Sequence, residues 1–283
     1  DKTVVSGNIT FNKNLKGKLL YKYNNSKESY KVDYKGGVDS EIISYYVGKD
    51  LLKVDDKINI DLKYYENKNK DEKISVKSDL KNDTFEILPL NWKKQSVHKS
   101  NLEINIDKKS NGKYDVFTYF KSDGNIPINL DINFGGDKKG LKYFKTNKIS
   151  YADGNLNIKA SRKNGILKTE IFGQNFYSDV IRKSLPYITT GDNSQPYSIE
   201  FNMNNIKTFD GNLAKKVWGQ IKNNGSSYDL ISLRIDMLQP LSRSVLLYNK
   251  KELKLYSDGL SSAYNLLFGG RPIKGSVIGM IGQ

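Results

Sequence analysis

The sequence predicts an all-β protein built on a long, twisted antiparallel β-sheet, with two or three short helices. Three observations support this prediction. Apolar and polar residues alternate along most of the chain, turn sequences rich in Asn, Gly, Asp and Lys separate the alternating segments, and helical periodicity is scarce. Alternation with a period of two places successive side chains on opposite faces of a sheet. Strands that recur every 8–12 residues or so favour an antiparallel meander over alternating strands and helices.

The clearest strand pattern is NIPINLDINF, residues 125–134. Ile126, Ile128, Leu130, Ile132 and Phe134 take every second position, and asparagine, aspartate and one proline take the positions between them. Such a strand has one apolar face and one face in water. The other segments with this alternation are, in chain order, VVSGNITF, KGKLLYKY, ESYKVDYK, DKINIDLKYY, EKISVKSDL, NLEINID, KYDVFTYF, NLNIKA, GILKTEIF and YSIEFNM.

Helical patterns are few and short. The best are residues 175–185 and 257–268, the second with Ser257 or Asp258 as a suitable N-cap, and residues 39–52 are ambiguous. So few helices cannot cover the apolar faces of all the predicted strands, so something else must pack against those faces. Either the sheet folds over itself as a sandwich or barrel, or it lines a space that something other than protein fills.

The charge is strongly positive, with 46 Lys and Arg against 31 Asp and Glu and a net charge of +15. Such a charge favours anionic partners, namely phospholipid headgroups, lipopolysaccharide or nucleic acid, although the codon usage of an AT-rich genome accounts for part of it. Nucleic acid is not expected as a partner, because arginines are rare and the tyrosines, which favour strands, show no known motif spacing. No apolar run approaches the ~20 residues of a membrane span.

Enzymatic chemistry has no support in the sequence. The chain has no cysteine, and its only histidine, His98, lies in the polar stretch KKQSVHKS, which excludes a histidine-based triad or a multi-histidine zinc site. Asp61, Glu103, Asp131 and Glu200 take the polar positions of strands, where solvation explains them. GGRPIKGS lacks the lysine that a phosphate-binding loop needs after its second glycine. We therefore expect no catalytic residue, no metal and no cofactor.

Three segments, in order along the chain, resemble the AsmA-like family, which includes YhdP-type and TamB-type proteins. The first is residues 79–106, the second residues 144–185 and the third residues 253–283. The first matches at Asp79, Leu80, Leu88, Pro89, Leu90, Trp92 and Lys93, the second at Gly173 and Asp179, and the third at Asp258, Gly259, Leu266, Gly275 and Gly282. The residues that we expect to carry the structural motif are Trp92, Lys93, Asp258, Gly259 and Gly275.

The resemblance implies a sheet curled into a U-shaped groove that carries phospholipid between the inner and outer membranes and supports outer-membrane barrier integrity. It also implies a location in the periplasm of a diderm bacterium, with an inner-membrane anchor outside this chain. The resemblance also implies that the chain would be a fragment of a longer protein. One groove module would span residues 1–208, and its continuation, with a short helix near 258–268, would span residues 209–283.

The groove would be lined by the alternating apolar residues of four strands. These are Ile58, Ile60, Leu62, Leu102, Ile104, Ile106, Ile126, Ile128, Leu130, Ile132, Phe134, Ile199, Phe201 and Met203. Their expected ligand is phospholipid or another acyl lipid, and Trp92 is expected to anchor a turn rather than to touch lipid. Two alternatives stay open. One is a lipoprotein-carrier-like half-barrel that binds acyl chains, and residues 228–259 have some of the sequence character of such a protein. The other is a structural or adhesive β-domain with a closed core.

Overall fold

The structure is a computed structural model and describes residues 2–11, 15–42, 52–55, 57–81, 83–88, 92–124, 126–178, 196–207, 213–239, 241–250, 252–258 and 277–282. Strands make up 76% and helical residues 4% of the part of the chain that the structure describes, so the predicted all-β fold with a long, mostly antiparallel sheet is confirmed. The chain divides into two compact units, unit 1 (Asp1–Ala152) and unit 2 (Asp153–Gln283). The boundary expected near residue 208 falls inside unit 2.

Unit 1 consists of one long meander and one small sheet. Its strands are β1 (Lys2–Phe11), β2 (Leu15–Asn24), β3 (Ser29–Asp39), β4 (Leu52–Val54), β5 (Lys57–Glu66), β6 (Glu72–Ser78), β7 (Phe85–Ile87), β8 (Trp92–Lys94), β9 (Ser100–Lys108), β10 (Tyr114–Ser122), β11 (Ile128–Asp137) and β12 (Gly140–Tyr151), with a 3₁₀ turn at Asn25–Lys27. The meander pairs β1, β2, β3, β5, β6, β9, β10, β11 and β12 in that order, always antiparallel. The small sheet has the order β4, β7, β8.

Short polar turns make this meander possible. Between β9 and β10, the amide of Lys109 donates to the carbonyl of Lys113, and the amide of Gly112 donates to the carbonyl of Lys109. Gly112 has a φ of +85°, a left-handed conformation that glycine adopts without steric cost. The turn sequence KSNG therefore ends one strand and starts the next, as the sequence predicted.

Unit 2 is also a sheet. Its strands are β13 (Gly154–Lys163), β14 (Ile166–Gln174), β15 (Tyr197–Lys207), β16 (Leu213–Asn223), β17 (Tyr228–Gln239), β18 (Ser242–Asn249), β19 (Glu252–Ser257) and β20 (Val277–Gly282). They pair in chain order, and β14 with β15 is the parallel pair among antiparallel neighbours. The pairings among the described strands do not close either unit into a barrel.

The predicted helices fall largely outside the described residues. In the 175–185 segment only residues up to 178 are described, and in the 257–268 segment only Ser257, which ends β19, and Asp258 are described. The ambiguous segment 39–52 continues β3 to Asp39, is helical at residues 40–42, and is described again only at residue 52. Within the described ranges, no helix has the length and apolar character that crossing a membrane requires.

Candidate functional site

The strand register of unit 1 identifies one continuous apolar surface. Residues directly opposite each other on neighbouring strands project from the same face of a sheet. One row of opposed residues runs through eight strands and consists of Tyr21, Val32, Tyr64, Ile74, Ile106, Val116, Phe134 and Phe144. We call the side of the sheet that carries this row the apolar face, and the opposite side the polar face.

Ten of the predicted groove residues lie together on the apolar face of unit 1. They are Ile58, Ile60 and Leu62 of β5, Leu102, Ile104 and Ile106 of β9, and Ile128, Leu130, Ile132 and Phe134 of β11. Ile126 precedes β11. The strands between them supply residues that the prediction did not name, such as Val76 and Phe120, although EKISVKS and KYDVFTYF show the same alternation.

The apolar face is covered at one end and open in its middle. At the covered end Ile128 is 2% exposed, Phe120 5% and Ile58 6%. In the middle, Leu62 and Ile104 are only half-buried, as are Val76 and Thr118 beside them. Tyr34, which lies opposite Leu62 on β3, is 5% exposed, so the accessible part of the middle begins at β5. In a sandwich with a closed core these central positions would be the most deeply buried ones. The middle of this face is therefore accessible to a ligand.

The small sheet covers that end of the apolar face with aromatic rings. Phe85 of β7 and Trp92 of β8 pack against Phe120 of β10, with ring centroids 5.9 and 5.7 Å away, and the two rings are 5.7 Å from each other. The indole N–H of Trp92 donates to the carbonyl of Ile126 over 2.8 Å. We call Phe85, Trp92 and Phe120 the aromatic cap. Buried aromatic groups in edge-to-face contact, with their polar atom paired, are typical of a structural anchor.

A buried lysine, which sequence analysis did not identify, holds the strand behind the cap. Lys94 follows Lys93 on β8 and is fully buried, and its Nζ donates to the carbonyls of Asp83 (2.7 Å) and Gln95 (3.1 Å). Burial lowers the pKa of Lys94. Lys93 points the other way and forms a 2.9 Å ion pair with Glu86 of β7. The WKK stretch therefore alternates between inside and outside, as a strand requires.

A polar cluster bounds the opposite end of the apolar face. The hydroxyls of Tyr30 and Tyr64 donate to one oxygen of Glu66 over 2.8 and 2.9 Å, and Lys70 Nζ lies 2.9 Å from the other. These bonds, that of Lys70 first, lower the pKa of Glu66 to about 2. Burial is the main cause that raises the pKa of Tyr64. The face therefore passes from aromatic rings, through aliphatic side chains, to charged and hydroxyl groups.

Unit 2 has an apolar face of its own. Ile199, Phe201 and Met203 of β15 share it, Ile199 opposite Ile221 and Met203 opposite Val217. Met203 is buried, whereas Ile199 and Phe201 are half-buried. In unit 2, Asp258 accepts a hydrogen bond from the backbone amide of Arg243. Gly259 and Gly275, the remaining residues of the expected motif, lie outside the described residues.

The polar positions carry paired charges and amides. In unit 1, Glu103 lies 3.2 Å from Lys77, and Asp131 accepts from Asn147 over 2.8 Å. In unit 2, Glu200 accepts from Gln220 over 2.8 Å. The described parts of the chain contain no group of three or more His, Cys, Asp or Glu side chains that could hold a metal ion.

The described cavities of unit 1 lie mainly on its polar face. The largest, of about 1060 Å³, is lined mostly by polar-face residues of several strands, and two smaller cavities lie on the same side. The described cavities of unit 1 therefore lie on the side of the sheet opposite the predicted groove, and the concave shape that the resemblance implies for the apolar face stays a prediction.

Fold and site together define a β-sheet protein whose long apolar face is capped at one end and accessible along its middle. Comparisons with protein-family models, with curated proteins and with solved structures found no match.

Proposed function

We propose that this protein binds lipid without catalysing a reaction, and that acyl chains lie along the apolar face of unit 1. The observation that carries the proposal is the half-buried middle of that face, where Leu62, Ile104 and Ile132 remain accessible. A contiguous accessible apolar surface with polar borders is typical of a binding site. Burial of each acyl methylene contributes roughly 0.8 kcal/mol, so a trough of this kind needs no specific contacts.

The dimensions of the face suit one acyl chain. From Ile60, the first residue of β5 beyond the covered end, to Tyr64 of the polar cluster, the strand extends about 13 Å at roughly 3.3 Å per residue. One leaflet of a bilayer has a hydrocarbon depth of about 15 Å, half of the ~30 Å core. An acyl chain could therefore lie with its end near the aromatic cap and its headgroup near Tyr30, Glu66 and Lys70.

The AsmA-like resemblance supplies the wider role that we propose. Phospholipid would move along such a face between the inner and outer membranes of a diderm bacterium, and the protein would act in the periplasm through an anchor outside this chain. This transport would support the barrier of the outer membrane. The resemblance rests on sequence segments alone, so the lipid-binding proposal and the transport proposal are tested separately.

A second candidate function follows from the aromatic cap. A conduit needs two open ends, whereas Phe85, Trp92 and Phe120 close one end of the apolar face of unit 1. A closed end favours the carrier-like alternative, in which the protein shields an acyl chain without passing it on.

Lipid analysis of the purified protein tests the main proposal. Native mass spectrometry and solvent extraction should find phospholipid bound to the wild-type protein and much less bound to Ile104→Asp. The matched control is Asn101→Asp, which adds the same charge to β9 on the polar face, opposite Lys121. Lipid-free wild-type protein that takes up no phospholipid from vesicles would refute the proposal. Transfer of labelled phospholipid between donor and acceptor vesicles then separates a conduit from a carrier.

A further inference from the structure

The polar face of unit 1 has an uneven charge distribution, and its largest cavity lies at the basic part. Lysines line this cavity in excess, Lys2, Lys22, Lys27, Lys31, Lys63 and Lys73 against the acids Asp33, Asp107 and Asp115. Asp33 of β3 lies directly opposite Lys63 of β5, within the basic part. The acids Asp107 and Asp115 lie directly opposite each other on β9 and β10, beyond the lysines of β2 to β6. The basic part of the cavity is therefore confined to the first strands of the meander.

The arrangement of these lysines is unfavourable for the protein alone. Lys22 of β2 lies directly opposite Lys31 of β3, and like charges in directly opposed positions destabilise a sheet. No ion pair within the described ranges includes Lys22, Lys31 or Lys63. Lys73 approaches Asp107 only to 3.8 Å. A bound anion would remove this repulsion.

The same row contains an aromatic ring between the charges. Lys31 lies opposite Tyr65, which lies opposite Lys73, and the Nζ of Lys31 is 5.6 Å from the centroid of the Tyr65 ring. Strands are about 4.8 Å apart, so the lysine positions of β2, β3 and β6 span roughly 14 Å. Ammonium groups at this spacing suit a ligand with several separate negative groups, and lysine binds phosphate as a point charge.

From this geometry we infer that the cavity on the polar face is a binding site for a ligand with more than one phosphate group. Lys22, Lys31, Lys63 and Lys73 would contact the phosphates. The site lies on the side of the sheet opposite the apolar face, so it does not depend on the proposed lipid-binding function. The phosphates could belong to soluble polyphosphate or to the headgroups of a membrane, which the experiment distinguishes.

Isothermal titration calorimetry with tripolyphosphate tests the site. The double variant Lys22→Gln/Lys31→Gln should bind tripolyphosphate roughly tenfold more weakly or worse. The matched control is Lys121→Gln/Lys145→Gln, which removes the same charge from exposed polar-face positions outside this cavity. The control should bind as the wild type does. Equal weakening in both double variants, or no binding by the wild type, would overturn the inference.

Further measurements identify the source of the phosphates and show whether the double variant is folded. Flotation with phosphatidylglycerol vesicles, compared with phosphatidylcholine vesicles, should depend on the same lysines if a membrane supplies them. Tighter, lysine-dependent binding of a single-stranded oligonucleotide than of tripolyphosphate would overturn the inference in favour of nucleic acid.

Removal of opposed like charges should leave the Tm of Lys22→Gln/Lys31→Gln unchanged or raise it. If the Tm falls, Lys63→Gln, which leaves the opposed pair intact, must still weaken binding for the inference to stand.

Discussion

Trp92 joins the small sheet to the apolar face of unit 1, because its ring contacts Phe120 and its N–H bonds to the carbonyl of Ile126. We expect Trp92→Ala to lower the free energy of unfolding by about 3–5 kcal/mol, since it leaves a cavity in a buried aromatic cluster. Trp92→Phe keeps most of the ring and loses one hydrogen bond, so its cost should be nearer 1 kcal/mol. Urea denaturation measures both. An unchanged midpoint for Trp92→Ala with lost lipid binding would assign Trp92 to the ligand instead.

Ile128 and Ile104 share the apolar face but differ in cover, which gives a paired prediction. Ile128 is 2% exposed at the capped end, so a charge there is buried without a partner, and Ile128→Asp should unfold unit 1. Ile104 is half-buried, so Ile104→Asp should remain folded and lose bound phospholipid. Circular dichroism and lipid extraction read out the two effects. Failure of both variants to fold would indicate a closed core, and a folded Ile104→Asp that retains lipid would refute the groove at that position.

Glu66 gives a prediction of pH dependence. Its pKa is lowered to about 2 in the folded protein from an ordinary value of 4.5. A lowered folded pKa means that the stabilisation is fully present above about pH 5 and is lost as the pH falls toward 2. We expect the Tm of the wild type to fall over this range more steeply than that of Glu66→Gln. The Tm of both proteins measured at a series of pH values tests this, and equal slopes would contradict it.

At the scale of elements, alternation located eleven strands correctly, namely β1, β2, β3, β5, β6, β9, β10, β11, β13, β14 and β15, and it did not identify β12 or β16 to β20. NIPINLDINF became β11, which begins at Ile128 because Pro127 has no N–H to donate to a ladder, while the carbonyl of Pro127 accepts from Ala152. Period-two alternation alone determines on which face of the sheet each residue of a strand lies. Ten groove candidates could therefore be assigned to one face before the strand order was known, and the strand register places them there.

Other elements could not be predicted from local pattern. β4, β7 and β8 have three residues each, too few for any period to be recognised. The parallel pairing of β14 with β15 depends on contacts between segments distant in sequence. The burial of Lys94 follows from the position of Trp92 two residues earlier on the same side of β8, and only the tertiary contacts of Trp92 reveal it. Because lysines are rarely fully buried in proteins, the residue type alone predicts a position on the surface.

For the whole molecule, the accessible apolar face has a consequence for solubility. Exposed apolar patches promote association, so removal of bound lipid should make the protein bind Nile red more strongly and aggregate at lower temperature. Addition of phospholipid should reverse both effects and raise the Tm, since a ligand stabilises the state that it binds. Nile red fluorescence and light scattering measure the change, and Ile104→Asp serves as the comparison that should respond less. Identical behaviour with and without lipid would count against occupancy of this face.

The position of the aromatic cap gives the apolar face a fixed length. If an acyl chain lies with its headgroup beside Glu66 and Lys70, its far end meets Phe120 after a fixed number of carbons. A shorter chain leaves part of the face unfilled, and each missing methylene gives up roughly 0.8 kcal/mol. A longer chain must fold back or leave carbons in water at a similar cost. The cap would thereby convert chain length into a difference in affinity, and enlargement of that end by Phe120→Leu would shift the preference toward longer chains.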